Sequence, residues 1–259
     1  SPFTVTSITP VIVDTQTTNI ILGINFQFDS SKTTETTTSL ASLVSSTLRN
    51  YNTSNLAQFD GAFRHSKVTG LIDDTDTAIT SNITTVTLAH NLTPTLSTAT
   101  AYTIQLNNAF YNPHSGHNSS SGGVLASTGF KVSGDTTNVQ FFDDDGAGNI
   151  RRYILVAGAR QYQDSTAGTI TYSTGEIKIS SINIISVENV DEVASTFIRL
   201  TVTPDSLDIV PVRNQILKID FVNTSVIGTV DTIATGDSST GTTTSASTTT
   251  SSYVTPSSY

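Results

Sequence analysis

In Ile20-Ile21-Leu22-Gly23-Ile24-Asn25-Phe26-Gln27-Phe28, the residues Ile20, Leu22, Ile24, Phe26 and Phe28 fall on every second position, with Gly23, Asn25 and Gln27 between them. Successive side chains of a strand point to opposite faces, so this spacing specifies a strand with one buried face. The period then changes. Asp29-Ser30-Ser31 supplies turn and capping chemistry, and Leu40, Leu43, Val44, Leu48 and Tyr51 recur at intervals of three and four. That stripe predicts an amphipathic helix over about 33–51. Thr is a mediocre helix former, so the helix is expected to depend on packing its Leu and Val stripe against the preceding strand.

Upstream, Phe3, Val5, Ile8, Val11 and Val13 read as a strand broken at Pro10. Downstream, Leu56, Phe59, Phe63 and Val68-Thr69-Gly70-Leu71-Ile72 lead into Asp73-Asp74-Thr75-Asp76, where capping residues are expected to start a short second helix. Asp73, Asp74 and Asp76 are then better read as complements to that helix's dipole than as acid–base catalysts. Ile83, Val86 and Leu88 open a Thr-rich strand that ends at Pro94. Residues 1–98 thus read as an α+β domain of strand–helix–strand type with one long helix.

From Tyr102 onward no helical period recurs. Tyr102, Ile104 and Leu106 form a strand, and Asn107 to Gly123 is a long loop of the kind that carries a function. Strands flank Asp143-Asp144-Asp145-Gly146-Ala147-Gly148-Asn149 and Ser173-Thr174-Gly175-Glu176, which read as hairpin turns. Further strands are expected at 182–187, 197–202 and 216–221, with 205–211 as an exposed connection. The fold class is therefore α+β and mostly β, with a hairpin-rich, sandwich-like domain over 99–230 and a Ser/Thr-rich tail over 231–259. Alone, the tail has too little apolar surface to fold, and is expected to be held by the rest of the chain or by a neighbour.

Composition narrows the function. The net charge of −9 opposes wrapping a phosphate backbone, so nucleic acid is a poor partner. No apolar run reaches the ~20 residues of a membrane-spanning helix, and no signal peptide is recognised. Cys is absent, which removes disulfides, thiolate metal sites and cysteine nucleophiles together. Met is absent too, and the chain opens Ser1-Pro2, as expected of a piece of a longer product.

His114-x-x-His117 presents two imidazoles in a Gly-rich loop, but a zinc site needs three or four ligands, so an exposed or interface loop is preferred. Asp143, Asp145 and Gly146 match the opening of a calcium loop, yet Ile154 stands where its bidentate acid belongs, and a tight acidic turn is preferred. No phosphate-binding loop and no nucleophile elbow is present, no cofactor is implied, and the sequons at Asn52, Asn82, Asn91, Asn118 and Asn223 are expected by chance in a chain where Ser and Thr approach a third of all residues. Low charge, β-branched strands and a long loop suit a subunit that offers its surfaces to neighbours. A secreted β-rich adhesion or glycan-binding module is the alternative.

The stretches Ile24-Asn25-Phe26-Gln27-Phe28-Asp29-Ser30-Ser31, Gly70-Leu71-Ile72-Asp73-Asp74-Thr75-Asp76, Phe110-Tyr111-Asn112-Pro113-His114-Ser115-Gly116-His117, Tyr172-Ser173-Thr174-Gly175-Glu176-Ile177 and Asp208-Ile209-Val210-Pro211-Val212-Arg213-Asn214-Gln215-Ile216-Leu217 occur in this order. Together they resemble the C-terminal part of a baseplate wedge protein of T-even-like contractile-tailed phages, in particular the cyanophage branch. The resemblance implies a non-enzymatic virion subunit, assembled in the host cytoplasm, that pairs with copies of itself and with other wedge proteins to join wedges into a ring around the hub. It assigns no catalytic residue. Asp73, Asp74, His114, His117, Pro211, Arg213 and Asn214 become candidates for interface or turn roles.

Overall fold

The computed structural model describes residues 16–190 and 193–233; the strand expected at 3–13 and the tail beyond 233 lie outside the described residues. The alternating segment forms β1 (Gln16–Phe28), with Ile20, Leu22, Ile24, Phe26 and Phe28 all buried. The helical stripe forms α1 (Thr37–Tyr51), whose N-terminus is closed by the Thr36 hydroxyl accepting from the Ser39 N–H at 3.1 Å. Leu40, Val44, Leu48 and Tyr51 face the core, whereas Leu43 is 42% exposed on the flank. A π-helical turn, Asn52–Leu56, prolongs α1 and buries Leu56.

The second helix differs from its expectation. It is α2 (His65–Asp73), so the acidic run ends it instead of starting it: Asp73 is its last residue and Asp74 its C-cap. Carboxylates there do not complement the dipole. Asp73 instead accepts from the Asn82 side-chain amide at 2.7 Å, and Asp76 caps the Ala78 N–H at 2.8 Å. The chain then enters β2 (Ile79–Leu92), which pairs antiparallel with β1 along most of its length.

The remaining elements are strands: β3 (Ala99–Gln105), β4 (Leu125–Ser127), β5 (Phe130–Val132), β6 (Asp135–Asp144), β7 (Asn149–Val156), β8 (Ala159–Thr171), β9 (Glu176–Val187), β10 (Ile198–Val202), β11 (Gln215–Ile219) and β12 (Ser225–Val230). The sandwich-like half takes the form of a strand circuit. β5 pairs with β6, β6 with β7, β7 with β8, β8 with β9, and β9 returns to β5, so five strands close on themselves as in a small barrel. Its interior is filled by Phe130, Phe142, Ile150, Ile170, Ile177 and Ile184, with the Phe130 and Phe142 ring centroids 4.6 Å apart.

The two halves of the sequence interleave. β10 pairs with β2 on one side and β4 on the other, while β11 and β12 both lie parallel to β1, at Gln16–Ile20 and Gly23–Phe28 respectively. α1 and α2 cover the even-numbered face of β1, and one continuous cluster of buried apolar side chains runs from Ile20 to Ile219. The opposite face of β1 and its neighbours is open, with Ile83 71% and Ile227 54% exposed on either side of Asn25.

Candidate functional site

The long loop Asn107–Gly123 is held against the circuit by two buried aspartates. Antiparallel register across the β6–β7 hairpin sets Asp143 opposite Arg151. One Asp143 oxygen accepts from Arg151 Nε at 2.9 Å; the other accepts from Arg160 Nη1 at 2.8 Å and from the Tyr162 hydroxyl at 2.9 Å. Arg151 and Arg160 also lie over the rings of Tyr162 and Tyr153, at 4.2 and 4.8 Å. Asp144, fully buried, accepts from the Tyr172 hydroxyl at 2.6 Å, the Leu125 N–H at 2.8 Å and the Gly146 N–H at 3.2 Å. A buried carboxylate is tolerated only when its lone pairs are filled in this way.

The same groups grip the loop. Arg151 donates to the Ser119 carbonyl at 2.8 Å, the Gly123 N–H donates to the Asp144 carbonyl at 2.9 Å, and the Gly116 N–H donates to the Gly146 carbonyl at 2.9 Å. A Cβ at Gly123 would overlap the Asp144 carboxylate, which is why the chain has glycine there. Fixed at these points, the loop turns His114 and His117 outward. Their rings meet edge to face at 5.1 Å with His114 Nε2 3.4 Å from His117 Nδ1, and Tyr111 meets His117 at 5.3 Å. Among the described residues no group of three or more His, Cys, Asp or Glu is arranged to hold a metal ion. The loop therefore displays a small aromatic and polar projection, the chemistry enriched at protein interfaces.

The other candidates are placed separately. Asp145 makes the hairpin turn: its oxygens accept from the Ala147 and Asn149 N–H groups at 2.7 and 2.9 Å and from the Asn149 amide at 2.7 Å. Asp143 and Asp145 thus serve different partners and are not joined in one cation site. Pro211, Arg213 and Asn214 lie in the connection between β10 and β11, where Asn214 accepts the Gln16 N–H at 3.0 Å and Arg213 is exposed. This connection is laced to the start of the long loop, for Asn108 exchanges hydrogen bonds with both the N–H and the C=O of Val210, at 3.1 and 3.3 Å. Val210 and Val212 are 48% and 38% exposed beside them.

Sequence reading missed Arg151, Arg160, Tyr162 and Tyr172. The hairpin register contained a signal for the first, since a turn centred on Ala147 places residue 151 opposite 143. It also missed Asp208, whose carboxylate accepts the His65 N–H at 2.9 Å and the Arg64 guanidinium at 3.0 Å. Asp208 caps α2 from the far side of the chain, and those two donors hold its carboxyl below the usual range.

This geometry defines a sheet-based protein whose polar centres hold loops in place. Residues 17–91, which comprise nearly all of β1, the two helices and most of β2, match the family described as Baseplate structural protein gp6, C-terminal domain III. The match agrees with the resemblance to baseplate wedge proteins of contractile-tailed phages and supports a structural role in a phage tail baseplate. No curated protein matches the chain.

Proposed function

We propose that the chain is a non-enzymatic subunit of the tail baseplate that joins wedges into a ring around the hub by associating with copies of itself and with other wedge proteins. The observation that carries this reading is the family match over 17–91, the segment that builds the sheet-and-helix layer. The polar groups of the rest of the chain support it. Asp143, Asp144 and Asp208 spend their lone pairs on holding loops and a helix end, which serves shape. One contact is assigned to residues 1–98 and another to 99–230, with His114, His117, Pro211, Arg213 and Asn214 on the contacting loops. The rival adhesion reading loses the Asp143 carboxylate as a calcium ligand, because two guanidinium groups already neutralise it.

Static light scattering at tens of micromolar tests the reading. A mass at or above twice the 27.4 kDa of the chain is expected, and a strictly monomeric species sinks self-association.

A further inference from the structure

Deepening that reading, and resting on it, we propose that the β12 edge is the self-association surface and pairs antiparallel with β12 of a second copy about a two-fold axis at Gly228. The Asp231 N–H donates to the Phe28 carbonyl at 2.8 Å, and with the register Phe28↔Val230 this turns the odd-numbered residues of β12 toward β1. The N–H and C=O groups of Val226, Gly228 and Val230 consequently point away from the sheet. An edge of this kind is a template for another strand unless something protects it.

Among the described residues, the other edges are protected. β3 carries a bulge between Thr100 and Tyr102, the β7–β8 ribbon is bulged twice and carries Arg160 and Asp164, and the Ile219 N–H of β11 is taken by the Asn52 side chain at 2.8 Å. β12, Ser225-Val226-Ile227-Gly228-Thr229-Val230, has no charge, no proline and no bulge.

Its sequence identifies the occupant. Around Gly228 the strand is nearly palindromic in shape: Val226 would lie opposite Val230 of the second copy on the helix side, and Ile227 opposite Thr229 on the open side. Gly228 meets itself on the axis, and it has no room for a side chain, because a Cβ would run into the Phe26 ring and Thr37. Beside the edge an open groove of about 570 Å³, whose lining includes Thr38, Ala41, Ser42, Ser45, Arg49 and Val226, leaves space for the incoming strand's valines. An uncharged, self-matching strand favours a copy of itself over a charged partner.

Two double variants at exposed positions test the register. In Ile227→Lys/Thr229→Lys, like charges face each other across the seam, and self-association should weaken at least about tenfold. In Ile227→Lys/Thr229→Glu, opposite charges face each other and association should return. Because the chain has no cysteine, mild oxidation of Ile227→Cys/Thr229→Cys should give a covalent dimer without background. A wild-type dimer indifferent to both charge variants, or one whose cysteine variant stays uncross-linked, overturns the β12 seam while leaving the baseplate reading intact. A monomeric wild type overturns self-association itself.

Discussion

The Tyr172 hydroxyl donates to Asp144 at 2.6 Å, fastening the end of β8 to the end of β6 inside the strand circuit. Burial, the bond to Asp144 and that carboxylate's charge all push the Tyr172 hydroxyl well above its usual ionisation range. An unfolded tyrosine ionises near pH ~10, so this contribution is complete below that value and is lost as pH rises above it. Urea midpoints measured between pH 8 and 11.5 should therefore fall steeply above pH ~10. Tyr172→Phe should be less stable at pH 8 yet show a shallower alkaline decline, and an unchanged slope contradicts the assignment.

Asp143 bridges Arg151 and Arg160 in a site where Asp143 is 1% exposed and the Arg151 side chain 11%. Removing one partner of a buried ion pair strands the other charge. Asp143→Ala should cost about 3–5 kcal/mol by chemical denaturation. A loss under about 1 kcal/mol would show that water already reaches the pair.

Gly123 sits against the Asp144 carboxylate, leaving no space for a methyl group. Gly123→Ala should destabilise the fold by about 1–3 kcal/mol through overpacking. The effect should be local, with faster amide hydrogen exchange across 116–125 and little change in α1. Uniform acceleration would place the strain elsewhere.

Asp208 stabilises α2 as a cap supplied from a distant loop. Asp208→Ala should cost about 1 kcal/mol, in the range of N-cap losses. The His65 N–H and Arg64 hold the folded carboxyl below its unfolded value, so the benefit is present above pH ~4 and fades as pH falls through the folded value. Wild type and Asp208→Asn should therefore converge in stability in acid. Arg64→Ala, which removes only the exposed ion pair, should change stability by less than about 1 kcal/mol.

β1 and α1 were legible because their buried faces are written as local periods of two and three to four. α2 was misplaced for a reason that can be named: its start at Arg64-His65 holds no local capping side chain, the cap arriving from Asp208, whereas the conspicuous aspartates belong to its end. Only the end of β8, before the Ser173–Glu176 turn, is legible, because Arg160-Gln161-Tyr162-Gln163-Asp164-Ser165-Thr166 buries little and has no apolar alternation. The turn at Asp145 was legible from composition. The burial of Asp143 and Asp144 is not, since it depends on Arg160 and Tyr162, which arrive from the polar first half of β8, and on Tyr172, whose hydroxyl reaches Asp144 only once the circuit closes. The pairing of β11 and β12 with β1 follows no local rule at all.

That last pairing governs how the molecule is made. The first strand receives its parallel neighbours only from residues some two hundred positions later, as the Leu22 N–H bonding to the Thr224 hydroxyl at 3.1 Å illustrates. Until β11 and β12 have been made, β1 has a bare backbone flank on that side, so its sheet is completed late by contacts of long sequence separation. The strand whose alternation is plainest in the sequence is thus among the last to gain all its neighbours.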